Sequence, residues 1–293
     1  MMVAARGTAG LAAASWVIIT VLYSSYFQAG KSTHAMGSLS AINNLGRLLG
    51  MLLAGIALLI FSGYRAMFVI GAVGAVIAFI FSLFIEENVP ENRKPMTLAG
   101  FLKVIRNKQL LCMSCAMLIG QFYISGMVSG FTPLLAAEYG AVSWHRSALS
   151  IVDIAMSMLG ALTVSSASAD KAGEQRYMLI RVIALSILTL CIPFSPNLPV
   201  LFILQGLGGF CTGSLSAMFM GLSIRHFPGD QRSTAMGCYQ AIYGIGMFLG
   251  PVLIGGVADA LGMRAGYIMV AALLLLIIPL IRIWAREEQK ESI

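Results

Sequence analysis

Residues 35–55 read AMGSLSAINNLGRLLGMLLAG, and residues 235–255 read AMGCYQAIYGIGMFLGPVLIG. Ala35-Met36-Gly37 recurs as Ala235-Met236-Gly237, and Gly46, Gly50 and Gly55 recur as Gly246, Gly250 and Gly255. The register extends outward on both sides. Arg6-Gly7-Thr8-Ala9-Gly10 aligns with Gln205-Gly206-Leu207-Gly208-Gly209, and Arg65-Ala66 with Arg264-Ala265, at offsets of 199 or 200 residues. Three helices near the start therefore repeat three near the end. The helices between them have no upstream copy. The repeat thus predicts about 90 further residues, or three spans, before Met1, and a parent architecture of two six-helix halves.

Composition supports this reading. The chain is 58% hydrophobic and 11% charged, with a mean hydropathy of +0.87. Soluble domains carry about 25% charged residues, so this surface cannot face water. A soluble enzyme, a nucleic-acid-binding domain and a disordered chain are excluded together. A multi-pass membrane protein remains, with the lipid bilayer as its first partner. A crossing helix needs about 20 apolar residues. Nine stretches qualify: 6–27, 36–60, 65–85, 110–133, 147–168, 177–194, 198–222, 234–258 and 265–284. Alternation with period two is absent, so a β-barrel is not expected. The first stretch is too long for a signal-peptide core and has only Arg6 as a basic residue.

Loop charges orient the spans. Lys31, Arg93, Lys94, Lys103, Arg106, Lys108, Lys171, Arg176, Arg225, Arg232, Arg286 and Lys290 fall on one side. Arg6, Arg65, Arg146 and Arg264 fall on the other. The first side is expected to be cytoplasmic, together with the C-terminus, in the inner or plasma membrane. The net charge of +7 is then loop charge, not affinity for nucleic acid. Residues 86–95 are polar and proline-bounded. In 97–108, Leu98, Phe101, Leu102 and Ile105 alternate with Lys103, Arg106 and Lys108, which predicts a short amphipathic surface helix. The organisation expected is 1–85 as three helices of a first half, 86–109 as a central cytoplasmic loop, 110–284 as a six-helix second half and 285–293 as a tail.

Two six-helix halves in parallel repeat around a charged central loop resemble the major facilitator superfamily, with this chain covering family helices 4 to 12. Three motifs carry the resemblance. Arg6-Gly7-Thr8-Ala9-Gly10-Leu11-Ala12-Ala13-Ala14 is similar to the fourth-helix motif R-x-x-q-G-x-g-a-a, with Ala9 for the glutamine. Gly46-Arg47-Leu48-Leu49-Gly50-Met51-Leu52-Leu53-Ala54-Gly55 is similar to the antiporter motif G-x-x-x-G-P-x-x-G-G, with Met51 for the proline and Ala54 for a glycine. Its repeat keeps Gly246, Gly250 and Pro251. Asp170-Lys171-Ala172-Gly173-Glu174-Gln175-Arg176 resembles the D-R-x-G-R-R loop motif. The resemblance implies an all-α integral membrane bundle of about nine helices from a 12-helix architecture. It implies a charge latch at Asp170, Lys171, Gly173 and Arg176. It also implies a substrate cavity lined by 6–27, 110–133 and 198–222, with Trp16, Tyr23, Gln121, Tyr123 and Gln205 as candidate contacts.

The residues add their own chemistry. Gly46/Gly50 and Gly246/Gly250 are small-xxx-small pairs that let helix backbones approach. They serve either plain packing or a hinged contact between the halves. Ionisable groups within spans are costly and point to function. Arg47 is one, with Asn43 a turn earlier; Asp153 is another, with Ser150 and Ser157 on its face. Asp153 is a candidate proton site, since a low dielectric favours a neutral carboxyl. Arg47 or Arg6 is a candidate for an anionic group or for tuning a partner acid. Each also reads as a structural hydrogen-bonding residue. Arg181 and Arg282 lie near span ends, where their heads can snorkel.

Other patterns are decoys. Gly30-Lys31-Ser32-Thr33 ends like a phosphate loop, but Ser25 stands where that loop needs glycine, so no nucleotide is expected. Cys112 and Cys115 have CxxC spacing within an apolar helix, without further metal ligands nearby. His34, His145 and His226 fall in separate loops. No clustered catalytic set appears, so an enzyme is not expected, and no cofactor is implied. The reading reached is a secondary transporter of a small organic solute, with proton-coupled efflux driven by a proton gradient. Import of a sugar, organic acid or other metabolite remains open, as does a truncated, inactive transporter fragment.

Overall fold

The computed structural model describes residues 2–28, 31–60, 65–85, 97–164 and 171–290. Helices dominate these residues and no strand occurs among them. In chain order they are α1 (Met2–Ser25), α2 (Ser32–Ile60), α3 (Arg65–Ser82), α4 (Leu98–Ile105) and α5 (Lys108–Gln121). A π-helical segment (Phe122–Phe131) joins α5 to α6 (Thr132–Glu138). Then come α7 (Ser143–Leu162), α8 (Lys171–Cys191), α9 (Leu198–Ile224), α10 (Gly229–Leu261), α11 (Met263–Leu275) and α12 (Ile277–Lys290). Among the described residues, six helical stretches are long and apolar enough to cross a membrane: Ser32–Ala57, Lys108–Glu138, Gly173–Phe194, Leu198–Ile224, Gly229–Leu261 and Met263–Lys290. The other expected spans lie mainly on α1, α3 and α7, with residues 165–168 of the 147–168 stretch outside the described residues.

Local chemistry sets the ends. Asn107 Oδ1 accepts the Leu110 amide at 3.0 Å and starts α5; Asn197 Oδ1 accepts the Val200 amide at 3.1 Å and starts α9. Thr97 Oγ1 does the same for α4 through Gly100 N at 3.2 Å. This is the expected amphipathic helix: it exposes Leu98, Phe101 and Leu102 beside Lys103. Gly262 has φ +87°, a left-handed conformation that costs glycine little, and it turns the chain between α10 and α11. Pro133 lacks the N–H that would bond the Ser129 carbonyl. Just before it, the helix widens until Thr132 N–H reaches the Met127 carbonyl, five residues back.

The repeat is preserved in the helix boundaries. α1 and α9 end at Ser25 and Ile224, α2 and α10 at Ile60 and Leu261, and α3 and α11 begin at Arg65 and Met263, each pair about 200 residues apart.

α9 is the central post, packed against α2, α5, α7, α8 and α10. Its glycines bring α7 close. A Cβ on Gly209 would strike the Asp153 carbonyl, and one on Gly213 the Ser157 carbonyl. From the other side, a Cβ on Gly160 would strike the Phe210 carbonyl. Such backbone proximity is how membrane helices gain packing energy without a hydrophobic drive between them. The glycine motifs behave differently from the expected hinge between halves. Gly246 and Gly250 seat α10 against α5 and Phe122, both in the second half. Among the described residues, a Cβ on Gly46, Gly50 or Gly55 would meet nothing within 4 Å. The first and second halves meet where α2 packs on α7 and α9 and where α1 packs on α10. Gly37 approaches the Ala161 carbonyl and the Val164 side chain, and Gly221 approaches Thr33.

Gly160→Ala is therefore expected to lower the melting temperature in detergent by about 3–10 °C, since overpacking costs about 1–3 kcal/mol. Gly46→Ala is expected to shift it by less than about 2 °C. Fluorescence-detected size-exclusion melting curves of the two variants check this.

Candidate substrate cavity

A cavity of about 230 Å³ lies between helices of both repeats, at mid-height of the bundle. α1 contributes Trp16, and α2 contributes Ser40, Asn43, Asn44 and Arg47. Gln121, Ile124 and Ser129 come from α5 and the π segment, and Asp153 and Ser157 from α7. α9 adds Thr212 and Ser216, and α10 adds Tyr239 and Tyr243. The widened π turns bring Ile124 and Ser129 to the wall, where Ser129 Oγ donates to the Ile124 carbonyl at 3.1 Å.

The polar groups are connected. Gln205 Nε2 donates to Asp153 Oδ1 at 2.9 Å. Asn44 Nδ2 donates to Ser157 Oγ at 3.2 Å, and Arg47 Nη1 donates to Asn44 Oδ1 at 3.5 Å. Ser157 and Asp153 are one turn apart on α7, so that helix carries both the Arg47–Asn44–Ser157 group and the Asp153–Gln205 pair. Asp153 is buried at the cavity edge, whereas Arg47 is exposed to it. Tyr123 is fully buried behind the wall. Among the described residues its hydroxyl and Gln205 Oε1 have no hydrogen-bond partner, and a Cβ on Gly208 would strike that hydroxyl.

Of the expected site residues, the fold brings Arg47, Asp153, Trp16 and Gln121 to the cavity. Gln205 and Tyr123 stand one layer back. Tyr23 lies away from it, with its hydroxyl 3.1 Å from Ser38 Oγ and its ring on Phe27. The partner of Arg47 is Asn44, not Asn43, although Asn43 also lines the wall. Ser150 turns back to the Arg146 carbonyl at 3.4 Å, leaving Ser157 alone to join the network. The Arg181 guanidinium sits 4.3 Å from the Phe210 ring centroid and 5.0 Å from that of Tyr177. The Arg6 and Lys171 side chains and the whole of Asp170 lie outside the described residues. Tyr239 and Tyr243 were not anticipated; their i, i+4 spacing on an apolar span was the available signal.

A second cluster closes the bundle at the Ser32 end. Arg225, at the end of α9, grips both oxygens of buried Glu174, with Nη1 to Oε2 at 2.8 Å. Its Nη1 is also 3.7 Å from Glu288 Oε1 on α12, and Nη2 reaches Thr33 Oγ1 of α2 at 3.4 Å. His226 Nε2 lies 2.9 Å from Glu288 Oε2, and Ser32 Oγ donates to the Gly221 carbonyl at 2.9 Å. Glu174 and Arg176 belong to the loop motif. Arg176 is exposed and Gly173 partly so, so within the described part of the motif the buried anchor is Glu174.

Two repeated helix groups around a polar mid-height cavity, clasped at one end, define the architecture of a membrane carrier. The chain belongs to the Major Facilitator Superfamily, whose family model matches residues 1–197 and 122–293. It is 25% identical over 257 residues to the multi-drug resistance efflux pump PmrA homolog of Lactococcus lactis subsp. lactis (strain IL1403), covering 85% of this chain and 63% of that protein. It is 26% identical over 251 residues to the multidrug efflux pump Tap of Mycolicibacterium fortuitum, covering 83% and 61%. The chain thus spans about three fifths of the length of these curated relatives. The crystal structure of the human organic anion transporter MFSD10 (TETRAN) superposes with a TM-score of 0.75 at 16% identity, over 90% of this chain and 67% of that one, and shares the fold.

Removing one member of a buried ion pair leaves the other uncompensated, at a cost of about 3–5 kcal/mol. Arg225→Met is therefore expected to destabilise the protein strongly. Lys108→Met, which breaks the exposed pair with Glu287 at 3.5 Å, is expected to leave stability nearly unchanged. Parallel thermal melts of both variants check the contrast.

Proposed function

We propose that the chain is the core of a secondary active transporter that exports small organic solutes by alternating access, coupled to protons through Asp153. The observation that carries this reading is the polar cavity between helices of both repeats, with a buried carboxyl at its edge. Substrate and coupling sites at the repeat interface are the arrangement that rocking carriers use. The names of the two relatives as efflux pumps support the outward direction.

The clasped end carries Lys31, Lys103, Arg106, Lys108, Arg176, Arg225 and Arg232, and by the positive-inside rule this charge supports a cytoplasmic location for it. The protein then sits in the plasma membrane with its C-terminus inside, in a conformation sealed on the cytoplasmic side. Opening that side requires α2 to leave Gly221 and Arg225, while the Arg225–Glu174 pair stays within the second half. The clasp therefore separates along the weaker hydroxyl contacts of Ser32 and Thr33 and keeps its buried ion pair. Asp153 is bound by Gln205 in the sealed state, and exchange of its proton accompanies access to the cavity.

Proteoliposomes containing a pH-sensitive dye test the coupling. Added 2-naphthoate, 2-naphthylmethylammonium and 2-naphthol are the probe solutes. The wild-type chain is expected to move protons when one of these is supplied. Asp153→Asn is expected to abolish that proton movement while the solute still binds. Solute-driven proton flux of unchanged size in Asp153→Asn would sink the assignment.

A further inference from the structure

We propose that the cavity selects organic anions, with Arg47 receiving the carboxylate or sulfonate of a small aromatic acid. The proposal rests on the cavity being the transport site and specifies the charge of its substrate.

Arg47 lies in the middle of α2, a span that carries no acidic residue. Its guanidinium is exposed to the cavity, and its sole hydrogen bond among the described residues is the 3.5 Å contact with the neutral Asn44 amide. It forms no ion pair there. Arg225 shows the contrast, since it is held by Glu174 and Glu288. A guanidinium within a span is costly unless an anion or water offsets it. The acid that shares the cavity, Asp153, is 9% exposed and already engaged by Gln205. An entering solute therefore meets the positive group first.

The surroundings fit the rest of such a ligand. Arginine presents a planar fork that matches a carboxylate with two parallel hydrogen bonds. Asn43 adds an amide beside it. Trp16, Tyr239 and Tyr243 supply ring surfaces, with the two tyrosines edge to face at 5.3 Å. At about 230 Å³ the space is below the range of about 300–1,000 Å³ typical of drug-sized sites, which suits one or two rings.

The test uses the full chain in nanodiscs of zwitterionic lipid, with empty nanodiscs as the baseline. Binding of tritiated 2-naphthoate and 2-naphthylmethylammonium is measured by scintillation proximity. The anion is expected to bind at least about tenfold more tightly than the cation. Arg47→Gln is expected to lose at least about tenfold for the anion, Arg47→Lys to lose less, and Asp153→Asn to keep or improve anion binding. Should Arg47→Gln not assemble, the wild-type anion-to-cation ratio and Arg47→Lys decide. Tighter binding of the cation, or anion binding in Arg47→Gln equal to wild type, overturns the proposal. Ser216→Trp fills the cavity and separates the two readings. If it removes cation binding and the wild type never binds the anion, the cavity is the transport site and the anion proposal fails. If it leaves 2-naphthoate binding intact, the cavity reading itself fails.

Discussion

The close approach of α7 to α9 is the contact on which the rest depends. Gly209 and Gly213 admit the α7 backbone, and Gly160 admits that of α9. In a bilayer, apolar helices gain little by leaving lipid, so association rests on van der Waals contact and interhelical hydrogen bonds. Glycine provides the first by removing the side chain that would hold the backbones apart. The second follows from the first: at this separation Gln205 reaches Asp153, and Ser157 is presented to Asn44 on α2. Packing and the polar network are thus one arrangement. The carboxyl is tolerated because the helix that crowds it also brings its donor.

Burial and exposure are divided between two kinds of charge. At the clasp, Glu174 and Glu288 are 2% and 1% exposed and share Arg225. Buried carboxylates of this kind need partners in fixed geometry, and they hold α8, α9 and α12 together. In the cavity, Arg47 has no such ion pair and faces open space, while Asp153 is buried against Gln205. A group already satisfied by its neighbours has little to offer a ligand. A group held at a wet wall with a weak neutral contact keeps its capacity to bind. The same residue type, arginine, is therefore structural at position 225 and available at position 47.

Much of this was legible from residues alone. The apolar runs, the 200-residue register and the positions of Asp153 and Arg47 follow from composition and spacing, because lipid leaves few alternatives for the backbone. The helix α4 was legible from its alternation of apolar and basic residues. What was not legible depended on helix rotation. Asn43 and Asn44 are neighbours in sequence but lie about 100° apart around α2, and only the packing against α7 decides which of them meets Arg47. Rotation likewise places Tyr23 by Ser38 and away from the cavity, and turns Arg181 onto Phe210. The glycine motifs show a further limit. Their spacing marks a face able to pack closely without naming the helix it packs on.

The repeat gives the cavity its position and its differences give it chemistry. Asn43 and Tyr243 occupy equivalent places in α2 and α10, and both line the wall. The place of Arg47 is taken in the second copy by Met247, which is 49% exposed and outside the cavity lining. Arg6 and Gln205 are likewise equivalent, and Gln205 serves Asp153 from α9. A pseudo-twofold pair of helices thus frames one space from two sides, while only one side presents a fixed cation. In the proposed transport cycle, the repeated backbone is what would let the two groups rock about a common centre. Side-chain asymmetry makes the centre polar in one direction, so a ligand with a charged end and an apolar end has one preferred orientation within it.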